Sequence, residues 1–265
     1  MDASNYFHQL NRYKTDSVNS PSPYRIWTDE KLRRNWLKVL WSMKYTHVNS
    51  MILRQALSLR GYTASQFRPS AAKAIYDLLE SKHVLDFASG WGDRLAGFAS
   101  ASDTRSYVGC DPNEDLFDGY RNQVKLYGNG KSFELICSAA EDADFGKKHF
   151  DTVFTSVPYY RSERYNGDDQ SWKRYKTLQA WLDGFLFTSL RNAITALKPR
   201  GFLAVNIADV YSERTVNKIV DPMNDFLATC GLTFLGCVGY RIHSRPKLAK
   251  ENRVTVEGIY IWRKK

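Results

Sequence analysis

From residue 70 onward the chain alternates between short apolar runs and amphipathic runs, and this alternation limits its fold more than any other feature. HVLDFA, YVGCD, FELICS, FDTVFTS and FLAVNIA read as strands, rich in β-branched and aromatic residues and bounded by turn formers. Between them, Ser70 opens a helix through Ala71, Ile75 and Leu79, Asp93 to Ala99 form a second, Leu116 and Tyr120 mark a third, and Leu178 to Leu197 a fourth. Strands that alternate with helices over this length imply a mostly parallel sheet covered on both faces. The last two runs, LTFLGCVGYRI and VTVEGIYIW, have only the basic loop HSRPKLAKENR between them, which predicts a closing antiparallel hairpin. The expected fold class is α/β, with a seven-stranded sheet.

Upstream the pattern differs. Residues 1–28 are polar, with a linker-like NSPSP at 19–23, and carry no apolar periodicity that would place them in an element. Thr28 offers an N-cap to a helix through Leu32, Trp36, Leu40 and Met43, and a second helix follows through Met51, Ile52, Ala56 and Leu59 to Gly61. The expected organisation is an extension and small basic helical cap over residues 1–66, followed by the main domain over residues 67–265.

The chain carries 38 Lys and Arg against 28 Asp and Glu, a net charge of +10. Such an excess attracts polyanions within a Debye length, roughly 8 to 10 Å, so nucleic acid is the first partner to consider and an anionic surface the second. The four cysteines form no C-x-x-C pair and adjoin no histidine cluster, so no metal site and no disulfide framework is expected. With no signal peptide and no apolar run near the roughly 20 residues that span a bilayer, a soluble intracellular protein is expected.

Two strand ends carry the chemistry. HVLDFA is followed by SGWGDR, where Gly90 and Gly92 permit positive φ and close approach of a ligand to the backbone. About 20 residues on, Asp111 ends the next strand, the arrangement that holds a ribose by its hydroxyls in doubly wound sheets. The spacing is not that of a dinucleotide fingerprint, and Asp93 places negative charge where a pyrophosphate would need positive potential. A cofactor without phosphates and with a cationic sulfonium, S-adenosylmethionine, suits the turn. The other strand end is DTVFTSVPYY, residues 151–160. Pro158 cannot donate to a ladder, so the strand stops there and presents Ser156, the Val157 carbonyl and Tyr159 to a ligand.

These motifs, in this order, resemble the class I S-adenosylmethionine-dependent methyltransferases over residues 67–265. Among them they are most similar to the amino-methyltransferases whose strand ends in Asp/Asn/Ser-Pro-Pro-Tyr/Phe/Trp. The resemblance implies a Rossmann-like fold with S-adenosylmethionine as cofactor. It places the cofactor against Phe67, Pro69, Asp86, Ala88, Gly90, Gly92, Asp111, Pro112, Ala140, Glu141 and Ser156; Ala139 stands where an Asp is frequent. It gives the catalytic turn as Ser156, Val157, Pro158 and Tyr159, with Val157 in place of the first proline. Because that position contributes mainly its carbonyl, valine preserves the acceptor. The turn would hold an exocyclic amine between two acceptors while Tyr159 stacks on a flipped base. The implied reaction is N-methylation of adenine or cytosine, in DNA before RNA. The alternatives are RNA, a protein side chain or a small amine as acceptor, and an inactive nucleic-acid-binding subunit. Carbon-5 methylation of a pyrimidine is excluded, because that family carries Cys where this chain has Tyr159.

The segment after the turn, RSERYNGDDQSWKRYKT, is too long for a tight connection and is both basic and aromatic. Tyr160, Arg161, Arg164, Lys173 and Arg174, with Arg245 and Lys247 of the closing loop, are the candidate nucleic-acid contacts. Little chain is left for a reading domain, so the expected specificity is either short or borrowed from a partner subunit.

Overall fold

The computed structural model describes residues 2–18, 20–43, 47–147, 149–165, 169–212, 215–241 and 256–265. Seven strands form the central sheet: β1 His83–Asp86, β2 Ser106–Asp111, β3 Ser132–Cys137, β4 Phe150–Ser156, β5 Leu197–Ile207, β6 Leu232–Arg241 and β7 Val256–Lys264. Their order across the sheet is β6-β7-β5-β4-β1-β2-β3. The first five strands are mutually parallel, and β7 lies antiparallel between β5 and β6. This is the expected Rossmann-like sheet with its closing hairpin. Chain direction across the sheet reverses between β1 and β4, so the C-terminal ends of these two neighbours open a crevice.

Period-two alternation divides the apolar residues between two cores. Leu85, Val153, Leu203 and Val205 face one side with Phe185, Leu186 and Leu190. Val84, Phe154 and Ala204 face the other with Ile75, Tyr76 and Phe98. Both faces are covered by helices: α5 Pro69–Leu78, α6 Asp93–Ser100 and α7 Phe117–Tyr127 early in the chain, then α8 Ser171–Arg174, α9 Leu178–Trp181, α10 Thr188–Ala196 and α11 Val220–Thr229. α5 starts at Pro69, one residue before the expected cap, because proline's fixed φ suits the first helical position. The single helix expected from Leu178 to Leu197 is interrupted by a π-helical stretch, Leu182–Phe187, where Gly184 lies under the ring of Tyr175 with no room for a Cβ.

The first 28 residues are more ordered than their composition predicts. α1 Asp2–Lys14 and α2 Pro23–Thr28 are helices. α1 escapes notice because the stripe it buries is polar: Ser4, His8 and Arg12, spaced by four, are all buried. Hydrogen bonds replace apolar packing. Ser4 Oγ donates to Asp93 Oδ1. His8 Nε2 lies 3.0 Å from Gln123 Oε1, and Arg12 Nη2 donates to the Ala64 carbonyl at 2.8 Å. The helical cap, α3 Glu30–Ser42 and α4 Ser50–Arg60, forms as expected, but α3 is capped by Asp29, whose carboxylate accepts from Leu32 N at 2.9 Å. Ile26, Trp36, Val39 and Ala56 give the cap its own small core.

Candidate active site

β1 delivers the chain into the turn Phe87 to Gly92, which closes on α6. Gly90 and Gly92 hold φ of 57° and 69°, the left-handed region where a side chain is strained. Gly90 N donates to Asp111 Oδ2 at 2.9 Å, and the second oxygen of Asp111 accepts from Asn113 N at 3.0 Å. The carboxylate at the end of β2 is thereby aimed across the crevice with lone pairs to spare. Burial pushes its pKa up to about 6, against the pull of those two backbone bonds.

Asp86 sits behind this turn, fully buried. It accepts from Arg94 Nε at 2.8 Å, Tyr107 Oη at 2.7 Å and Thr155 Oγ1 at 2.9 Å. Its role differs from direct contact: it holds the Arg94 guanidinium, which lines the crevice. Gly92 and Pro69 likewise stand outside the cavity. Gly92 is pressed against Gln123, whose amide donates to the Gly92 carbonyl at 3.1 Å, and the Pro69 carbonyl abuts Gly97 of α6. The remaining residues assigned to the cofactor, Phe67, Ala88, Gly90, Asp111, Pro112, Ala140, Glu141 and Ser156, all line one cavity of ≈ 160 Å³.

Val157, Pro158 and Tyr159 line the same cavity. Ser156 Oγ donates its proton to Asn206 Oδ1 at 3.0 Å, so the free lone pairs of the hydroxyl remain available as acceptors. A second cavity of ≈ 360 Å³ opens behind this turn, lined by Asn206, Tyr240 and Glu257. The two cavities share Ser65, Phe67, Ser156 and Tyr159. Ser156 and Tyr159 thus stand on the boundary between them.

The loop residues assigned to nucleic acid divide. Tyr160 is buried against Trp181 with its hydroxyl on the Lys176 carbonyl at 2.9 Å, so its ring belongs to the core and not to the crevice mouth. Arg174 is held by three carboxylates, Asp169, Asp142 and Glu141, so its charge is offset within the protein; it lines the first cavity with Asp169 and Glu141. Arg161 Nη2 donates to the Lys176 carbonyl at 2.8 Å, and the Arg164 guanidinium lies 5.8 Å from the Trp172 ring centroid. Lys173 sits on α8 beside them. Arg245 and Lys247 lie outside the described residues.

Four polar groups of the site escaped the motif reading. Glu163, buried, accepts from the hydroxyls of Tyr62 and Tyr165. Arg94 faces the first cavity, while Asn206 and Glu257 line the second. Asn206 in FLAVNIA and Glu257 in VTVEGI carry a visible signal, a polar residue within an apolar strand. Glu163 carries none, since its partner Tyr62 comes from a segment 101 residues away. Among the described residues no group of three or more His, Cys, Asp or Glu could hold a metal ion.

Residues 84–166, which contain both strand ends, match the family model described as a methyltransferase domain. The chain's sheet has counterparts among solved structures. TrmN from Thermus thermophilus is 16% identical with a TM-score of 0.50, over 74% of this chain and 49% of TrmN, so the chain spans about half of that protein. A SAM-dependent methyltransferase from Methanosarcina mazei is 13% identical with a TM-score of 0.50, over 72% of this chain and 96% of that one. The cyclase SpnF is 12% identical with a TM-score of 0.52, over 74% and 81%. No curated protein matches the sequence. The family match indicates S-adenosylmethionine as the cofactor. The cavity residues fit it: a carboxylate at the end of β2 for ribose hydroxyls, a guanidinium for a carboxylate, and a glycine turn open to close approach.

Proposed function

We propose that this methyltransferase domain acts on the exocyclic amine of a nucleic-acid base, adenine N6 or cytosine N4, in DNA before RNA. One observation supports the reading: Ser156 and Tyr159 line both the first cavity and the second, and the Ser156 hydroxyl, donating to Asn206, keeps its lone pairs as acceptors. An aromatic amine is a poor nucleophile because its lone pair is delocalised into the ring. Acceptors at Ser156 Oγ and the Val157 carbonyl would draw its two N–H bonds out of the ring plane and release that pair. Pro158 fixes the turn, and Tyr159 offers a ring to the base. When bound, S-adenosylmethionine supplies the electrophilic methyl; the chain's residues position, polarise and exclude water.

The net charge of +10 supports a polyanionic partner, and the helical cap adds exposed Trp27 and Trp41 to the cations of α3, a combination suited to stacking and phosphate contact. The cyclase SpnF shares this fold, so the acceptor has to be argued from the site and not from the sheet. The test is mass spectrometry of nucleosides from DNA and from RNA incubated with the protein and isotopically labelled S-adenosylmethionine. Label in N6-methyladenine or N4-methylcytosine of DNA is the expected result. Label in the RNA nucleosides alone moves the acceptor to RNA, and label in neither overturns the base-amine reading.

A further inference from the structure

The two cavities differ in charge. Five carboxylates line the first against the guanidinium groups of Arg94 and Arg174, a balance that suits a cationic sulfonium. In the second the order is reversed, with Arg12 and Arg68 against Glu257 alone. Arg12 is buried, yet every acceptor it bonds is neutral: Nε and Nη2 donate to the Ala64 carbonyl at 3.3 and 2.8 Å, and Nη1 donates to Asn5 Oδ1. Two of the five N–H donors of that guanidinium are left over. Arg68, half-buried, is anchored by its backbone: its N–H donates to Tyr240 Oη at 3.0 Å, and the Tyr240 ring stacks on Phe67 with centroids 4.5 Å apart. Among the described residues the Arg68 side chain makes no hydrogen bond, and neither guanidinium has an ion-pair partner. A cation buried without a counter-ion is costly, and burial lowers the Arg12 pKa, while Asp93 and Glu163 favour the charge from beyond contact.

Resting on the base-amine reading above, we propose that Arg12 and Arg68 bind a phosphate flanking the acceptor base, so that the target nucleotide spans the second cavity with its amine at Ser156. A guanidinium presents a planar fork of N–H donors that matches phosphate oxygens bidentately, and two forks in one cavity hold the group by direction as well as by charge. The cavity, ≈ 360 Å³, is of the size that small-molecule sites have, about 300–1,000 Å³. Ser156 and Tyr159 line it from the turn after β4, while Arg12 comes from α1 and Arg68 stands just before α5. The N-terminal extension thereby supplies part of the acceptor site. Glu257 is the cavity's one carboxylate, and burial raises its pKa, so at most one negative charge opposes the two cations. The net charge of +10 attracts a polyanion from a distance; this contact sets which nucleotide stands at the turn.

The experiment reads binding by fluorescence anisotropy, with the full chain saturated with S-adenosylhomocysteine. The probes are single-stranded thymine runs holding one adenine or one cytosine, and copies with an uncharged methylphosphonate at a linkage flanking that base or at a distant one. Arg68→Gln is the main variant, because the side chain it changes makes no bond among the described residues and the variant should melt as the wild type does. It should weaken binding about tenfold and reduce the salt slope by about one. A flanking methylphosphonate should cost the wild type about tenfold and the variant less than about twofold, since its partner is already gone. A distant methylphosphonate should cost both the same. Arg12→Lys, which keeps the charge and loses the fork, should give a smaller loss at the same linkage. As competitors, dAMP and dCMP should displace the probe from the wild type better than the matching nucleosides do. Unchanged affinity and salt slope in Arg68→Gln, or a flanking penalty equal in wild type and variant, would overturn the phosphate site. Displacement by inorganic phosphate as effective as by the nucleotides would mean a site for free phosphate and would overturn its assignment to the acceptor strand. Nucleoside labelling decides the base-amine reading separately: label in DNA or RNA without the flanking penalty would overturn the phosphate site alone.

Discussion

At the scale of single residues, the site is governed by where each carboxylate is placed. Asp111 and Asp86 both end parallel strands, yet one faces the crevice and the other is sealed behind it by Arg94, Tyr107 and Thr155. Asp111 should bind ribose hydroxyls only when ionised. Its pKa is raised to about 6, so affinity for S-adenosylmethionine should fall as pH drops below that value, and calorimetry at pH 7.5 and 5 would measure it. Asp111→Asn should weaken binding by about 1.5–3 kcal/mol, the range for a hydrogen bond to a charged group, and flatten the acid limb. Asp86→Asn should act differently, loosening the turn and lowering thermal stability together with affinity. Tyr159→Ala should reduce methyl transfer far more than cofactor affinity, because the proposed partner of its ring is the acceptor; equal loss of both would mean that the turn had collapsed.

At the scale of elements, the seven strands were legible because each is a short run rich in apolar, β-branched and aromatic residues, and the Gly90 and Ser156 turns because glycine and proline mark them. α1 was not legible. Periodicity detects apolar stripes, and α1 buries Ser4, His8 and Arg12 on hydrogen bonds to residues over 50 positions away. The same limit hid Glu163, whereas Asn206 and Glu257 stood out as polar interruptions whose meaning needed the strand order. α1 also gives the fold a measurable pH dependence. Burial holds the His8 imidazole neutral, its pKa lowered from 6.5 to about 4. The unfolded chain therefore binds the proton first as pH falls, and stability present above pH 6.5 is lost between there and about 4. From pH 7 to pH 5 the loss should be about 2 kcal/mol. Urea denaturation of the wild type against His8→Gln checks this: the variant should lose less over the same interval, and parallel losses would contradict the burial.

At the scale of the whole molecule, order and charge combine. The crevice lies at the reversal in the sheet, α1 and the segment through Ala64 brace it from one side, and the loop carrying Arg174 crosses it from another. The described cations nearest the mouth are partly engaged within the protein, so attraction of a polyanion belongs to the summed field and not to any one contact. Neutralising Lys31, Arg33, Arg34 and Lys38 on α3 should weaken binding to a single-stranded oligonucleotide and reduce its dependence on salt. An unchanged salt slope, read by fluorescence anisotropy from 50 to 200 mM, would place the partner elsewhere. Saturation with S-adenosylmethionine at about 100 times its dissociation constant should stabilise the chain by roughly 2.7 kcal/mol.

A crystal structure with S-adenosylhomocysteine tests most directly whether donor and acceptor meet at the end of β4. The account predicts ribose hydroxyls on Asp111, the amino-acid end toward Arg94, and the sulfur turned toward Ser156 and the Val157 carbonyl. A nucleoside bound elsewhere, or one whose sulfur faces away from that turn, would contradict it.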